Sequence, residues 1–229
     1  MQKAFHALIS KAYGRVAAIS RMLLLFPVIA APAMAENMTL LAFGDSLTQG
    51  YGLEVEEGFV PQLEAWLRER GAEVTVINGG VSGDTTAGGA ARIAWSLTDD
   101  VDAVMVTLGG NDLLRGLSPD QTRANLARII AAVQARDLPV LLVGMKATGN
   151  FGAAYKAKFD AIYPELAAET GAAFFPHFLQ GLVDLGDQQL VLRDYMQPDA
   201  THPNAAGVTR IVNHIGPAVL KFLDQTESN

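Results

Sequence analysis

The 229-residue chain contains no cysteine, which excludes disulfides, a thiol nucleophile and thiolate metal sites together. It has no excess of positive charge: the formal net charge is −7, so it carries no electrostatic footprint for nucleic acid. Aromatic residues make up only 7% of the chain, and no polar and aromatic stretch reads as a platform for sugars. The apolar run Met22–Ala31 is interrupted by Pro27 and is too short to span a bilayer comfortably. Internal repeats, low-complexity tracts and linkers are absent.

Half of the residues are hydrophobic, enough for one domain with a sizeable core. Residues 1–35 differ from the rest. They carry Lys3, Lys11, Arg15 and Arg21 and no acidic residue, followed by the apolar run and then Ala33-Met34-Ala35. A basic region, a short apolar core and a small-x-small end mark a secretory signal peptide. The expectation is cleavage after Ala35, with an uncleaved anchor as the rival. Losing those four positive charges takes the net charge from −7 to −11 for residues 36–229. The mature chain is then a periplasmic or secreted domain with no stable membrane span, and a monomer is the expected state.

From residue 36 onward, strand-like runs alternate with helix-like segments. Strands are predicted at Met38–Phe43, Glu73–Asn78, Ala103–Leu108, Val140–Met145 and Ala172–Phe175. Helices are predicted at Val60–Arg70, Thr86–Leu97, Pro119–Ala135, Tyr155–Thr170 and from Asn204 to Asp224, with Ser118 and Asn204 as N-caps. Pro164 predicts a kink or break in the fourth of these. Alternation of this kind means a mostly parallel sheet covered on both faces. The expected architecture is a flavodoxin-like α/β three-layer sandwich with strand order 2-1-3-4-5. Strand 1 then lies between strands 2 and 3, and the polar turns at Ser46, Gly83 and Asn111 share the carboxyl end of the sheet, where such folds bind ligands.

Gly44-Asp45-Ser46 is ordinary turn chemistry taken alone, so the question is whether partners exist. A serine nucleophile needs a base, usually histidine, held by a carboxylate. His214 sits within the last helix without a paired acid at useful spacing, and His177 in Phe174–Phe178 reads as a partly buried histidine or a groove wall. His202 follows Asp199 by three residues, close enough in a turn for the carboxylate to orient one ring nitrogen. A capping turn with an incidental histidine is the alternative. The backbone N–H groups of Ser46 and Gly83 and the amide of Asn111 can form an oxyanion hole, although glycine and asparagine also form plain turns. Ser46 lies in Gly-Asp-Ser-Leu rather than G-x-S-x-G, so the α/β-hydrolase elbow is not the template.

The four blocks GDSLTQGYG at 44–52, SGDT at 82–85, GGND at 109–112 and DATHPN at 199–204 resemble the SGNH (GDSL-type) hydrolases, over about residues 38–223. Within them the chain is most similar to the bacterial periplasmic thioesterase I/lysophospholipase and arylesterase branch. The resemblance implies Ser46 as nucleophile, His202 as base, Asp199 as its orienter, and Ser46, Gly83 and Asn111 as oxyanion donors. It implies a small-molecule ester or thioester substrate, with no metal and no organic cofactor. A carbohydrate O-acetylesterase is the runner-up. A metal-dependent hydrolase and a non-catalytic binding module are the rivals of other classes. Segments 146–153 and 177–196 are where substrate preference is expected to vary.

Overall fold

The computed structural model of the protein describes residues 37–227; the expected signal peptide lies outside the described residues. Five parallel strands form one sheet in the order β2-β1-β3-β4-β5, the order expected from the sequence. They are β1 (Met38–Gly44), β2 (Val74–Gly80), β3 (Ala103–Thr107), β4 (Val140–Val143) and β5 (Ala173–Phe175). The central strands are apolar and buried along their length, as strands covered on both faces must be. Leu40, Ala42, Phe43, Val104, Met105 and Val106 are all fully buried.

The longer helices are α2 (Phe59–Arg68), α3 (Thr86–Ser96), α5 (Pro119–Gln134), α6 (Ala153–Thr170) and α9 (Ala205–Glu227). Packing divides them into two layers: α2 lies on α9, while α3 lies on α5 and α5 on α6. Gly216 permits the first of these contacts, since a Cβ there would lie 2.7 Å from the Trp66 ring. Asn204 caps α9 as expected, its Oδ1 accepting the Gly207 N–H at 2.9 Å.

Four one- or two-turn helices were not legible in the sequence: α1 (Ser46–Gln49), α4 (Gly110–Leu114), α7 (Gln180–Val183) and α8 (Gln188–Asp194). They are too short to show a hydrophobic period, and α1 and α4 carry site residues. Pro164 lies inside α6, which continues past it without the break that was one of the two expectations. Proline removes one helical donor, but Phe159, Ile162, Tyr163 and Leu166 around it are buried in the core. Tertiary packing holds the helix through the defect.

The carboxyl ends of β1 and β2 approach closely enough to need glycine. A Cβ on Gly80 would sit 2.3 Å from the Gln49 backbone nitrogen, so β2 passes directly beneath α1. Gly80→Ala is expected to lower stability in urea unfolding by about 1–3 kcal/mol, the usual cost of overpacking against backbone that cannot retreat. An unchanged midpoint would show that α1 is free to move away.

Candidate active site

The chain leaves the core at Gly44 and starts α1 at once. Asp45 caps that helix, its Oδ1 accepting the Leu47 N–H at 3.0 Å. Ser46 is therefore held at the first helical position, over the carboxyl end of β1. The second turn follows β2 and carries Gly83, whose φ of +77° suits glycine. The third follows β3. There Gly109 adopts φ +114°, and a Cβ would fall 2.1 Å from the Tyr163 hydroxyl, which donates to the Leu108 carbonyl at 2.9 Å. This packing starts α4 and sets Asn111 on its first turn.

The loop before α9 completes the arrangement. His202 Nε2 lies 2.8 Å from Ser46 Oγ, across 156 residues of chain. Its Nδ1 lies 2.6 Å from Asp199 Oδ2. With the proton on Nδ1, the imidazole donates to Asp199 and accepts from the Ser46 hydroxyl. Asp199 Oδ1 also accepts the backbone N–H groups of Thr201 at 2.9 Å and His202 at 3.0 Å. The His202 N–H, then the His202 ring and the Thr201 N–H, pull the Asp199 carboxyl down to about 2. It stays ionised wherever an imidazole titrates. Ala200 between them takes φ +55°, an uncommon conformation for alanine that folds the loop tightly. The Tyr51 ring flanks the imidazole, with centroids 4.7 Å apart.

Among the described residues, the N–H groups of Ser46 and Gly83 donate to no protein acceptor, and the Asn111 amide lies on the turn beside Ser46. His177 and His214 are not part of the cluster. His214 sits 3.7 Å from Asp184 with its ring against Phe175, and burial holds the His177 imidazole below its usual value.

Three supporting residues escaped the sequence reading. Arg115 donates from Nη2 to the Gly83 carbonyl at 2.8 Å, tying the second turn to the third. Gln49 accepts from both the backbone N–H and the hydroxyl of Ser82, at 3.1 and 2.5 Å. Arg92 bridges Asp84 at 2.7 Å and the Gly44 carbonyl at 2.8 Å. Gln49 lies inside the GDSLTQGYG block and Arg115 three residues beyond the GGND block, but nothing local shows which partner either one takes. A cavity of about 550 Å³ lined by Gln49, Tyr51, Leu53, Val60 and Asn78 runs beside α1. A larger one, about 1420 Å³, opens at the opposite ends of the strands by Met38, Pro139 and Ala173 and touches none of these groups. No cluster of three or more His, Asp or Glu side chains among the described residues is arranged to hold a metal.

A serine hydroxyl within reach of an imidazole at the carboxyl end of a doubly wound sheet is an arrangement that can support acyl transfer. The chain belongs to the GDSL-like Lipase/Acylhydrolase family, whose profile it matches over residues 42–210. It is 35% identical over 190 residues to Esterase TesA of Pseudomonas aeruginosa, covering 82% of this chain and 91% of that one. It is also 35% identical over 182 residues to the Thioesterase 1/protease 1/lysophospholipase L1 of Escherichia coli, covering 79% and 82%. Among solved structures, AlinE4, described as an SGNH-hydrolase family esterase, superposes with a TM-score of 0.65. It is 45% identical, covering 82% of this chain and 97% of that one. The protein is an ester-hydrolysing enzyme.

Two predictions follow from the geometry around Ser46. Arg115→Ala releases the Gly83 carbonyl and should lower kcat roughly tenfold, the scale of one hydrogen bond to a charged group; steady-state kinetics with unchanged kcat would contradict this. Asp45 generates the second. Burial raises its carboxyl to about 6, above the ~3.9 of a free aspartate. Between those values the folded state binds more protons than the unfolded chain, so stability falls as pH rises from about 4 to 6, by about 3 kcal/mol from this group. Urea unfolding across that window should give a flatter profile for Asp45→Asn than for the wild type.

Proposed function

We propose that the protein hydrolyses carboxylic esters and thioesters through an acyl-enzyme on Ser46. The observation that carries this reading is the continuous line from Ser46 Oγ through His202, at 2.8 Å, to Asp199, at 2.6 Å. His202 Nε2 takes the hydroxyl proton as Oγ attacks the acyl carbonyl. Asp199 steadies the imidazolium through Nδ1–H. The N–H groups of Ser46 and Gly83 and the Asn111 amide receive the negative charge on the carbonyl oxygen. His202 then returns the proton to the leaving oxygen or sulfur, and water attacks the acyl-enzyme by the same route in reverse.

Thioester and lysophospholipid cleavage rest on the name of the E. coli relative, and ester cleavage on the names of TesA and AlinE4. The arylesterase, thioesterase and lysophospholipase activities of that branch are proposed here as one acyl-transfer chemistry with different leaving groups. The composition of residues 1–35 supports export to the periplasm or beyond, with the enzyme acting as a monomer after removal of that segment. None of the helices among the described residues is long and apolar enough to cross a membrane.

The test is a rate profile of the purified protein on p-nitrophenyl esters from acetyl to palmitoyl, with Ser46→Ala as control. Hydrolysis abolished in Ser46→Ala and resistant to chelators is the expected outcome. Loss of activity on chelation without dependence on Ser46 would favour a metal-dependent hydrolase and overturn the acyl-enzyme on Ser46. Asn111→Ala should fold normally and lose about 10²–10³ in kcat, the usual cost of one oxyanion donor; wild-type turnover in that variant would remove Asn111 from the oxyanion hole.

A further inference from the structure

Asp45 is 1% exposed, and the mechanism above gives it no part beyond capping α1. A helix N-cap does not require a charge, since serine, threonine and asparagine cap about as well. Burying a carboxylate instead costs desolvation, so a residue that only capped the helix would gain nothing by being ionisable. The second carboxylate oxygen shows where the charge is used. Oδ1 accepts from Leu47, while Oδ2 lies 3.4 Å from Asn111 Nδ2. Gly110 passes over the same oxygen, where a Cβ would stand 3.2 Å away. One side chain therefore touches both the turn that holds the nucleophile and the turn that holds the amide.

An asparagine amide has a donor end and an acceptor end of nearly equal shape. Only its NH₂ end can serve an oxyanion hole. An ionised carboxylate accepts and never donates, so it discriminates between the two orientations. It also engages one of the two amide protons and leaves the other for the substrate. We propose that Asp45 is a positioning residue: its carboxylate holds the Asn111 amide with the NH₂ end turned into the oxyanion hole. This rests on the role proposed for Asn111 and extends it to the residue beside the nucleophile.

The surroundings bear on when that carboxylate is charged. His202 from the loop before α9 favours the ionised form, and Asp84 from the turn after β2 opposes it. Arg92 on α3 offsets Asp84 by pairing with it at 2.7 Å, and it also binds the Gly44 carbonyl next to Asp45. Tyr163 on α6 faces Asp45 as a neutral phenol, raised well above its ordinary value by burial. Asp112, next to Asn111, is occupied by Thr86 and Thr122. With burial lifting the group to about 6, the acceptor is present at neutral pH and is lost on acidification.

A double-mutant cycle in kcat separates positioning from general structural damage. The variants are Asp45→Asn, Asn111→Ala and the double, assayed on p-nitrophenyl butyrate at pH 7.5. Asp45→Asn keeps an oxygen for the Leu47 N–H but can present a donor to the Asn111 amide. It should lower kcat by roughly 10- to 100-fold, less than the roughly 10²–10³ of losing the oxyanion donor outright, with KM changed less than about twofold. In the Asn111→Ala background the same substitution should change kcat less than about twofold. An equal loss in both backgrounds, or wild-type kcat in Asp45→Asn, overturns the proposal while leaving the Asn111 donor standing. Wild-type kcat in Asn111→Ala overturns the donor itself and the positioning role with it. Should Asp45→Asn fail to fold, Asp45→Ser retains a capping oxygen without the charge and is held to the same outcomes.

Discussion

The close approach of three strand ends around Gly44 is the constraint on which the rest of the site depends. A Cβ at Gly44 would lie 2.0 Å from Thr48 Oγ1 and 2.8 Å from the Thr107 carbonyl. No larger residue leaves room for α1 to start directly on β1 with β3 alongside. That crowding forces Asp45 inward and Ser46 onto the first helical turn. Gly80 at the end of β2 and Gly109, two residues beyond β3, meet the same demand, against Gln49 and Tyr163. The rigid sheet thus fixes the three turns that carry Ser46, Gly83 and Asn111. Only the imidazole and its carboxylate come from a distant part of the chain.

Two aspartates in this small volume show environment deciding chemistry. Asp199 is held by two backbone N–H groups and the His202 ring, which keep it ionised down to about 2. Asp45 is sealed from water, and burial lifts it to about 6 despite the Leu47 cap and the Asn111 amide. The first arrangement suits a group that must stay negative beside an imidazolium. The second stores a desolvation cost at the centre of the fold, the kind of local expense that functional sites carry and structural ones avoid.

The strand order and the positions of all five strands were legible because apolar runs of four to six residues alternated with longer helical periods. Ends were less so. The fourth strand was expected to reach Met145 and stops at Val143, where the Gly144 backbone turns instead to bond Phe175 and Phe178. Ser46, Gly83, Asn111, Asp199 and His202 could be named from turn chemistry and order along the chain. The structure brings Ser46, His202 and Asp199 into hydrogen-bonding reach and sets the Gly83 and Asn111 turns beside them; their catalytic roles are our proposal. The supporting contacts were not legible. Arg115 to Gly83, Gln49 to Ser82 and Arg92 to Gly44 join residues 32 to 48 positions apart, and no local pattern encodes such pairs. Asp45 was hidden differently: its sequence context reads as a cap, and only its burial reveals a second partner.

Covalent capture tests the central claim most directly. Intact-mass spectrometry after treatment with a fluorophosphonate should show one adduct on the wild type, mapping to the peptide that contains Ser46. The Ser46→Ala protein should show none, and His202→Ala should label far more slowly, because the hydroxyl then has no base. An adduct on another residue, or undiminished ester hydrolysis by Ser46→Ala, would contradict the account.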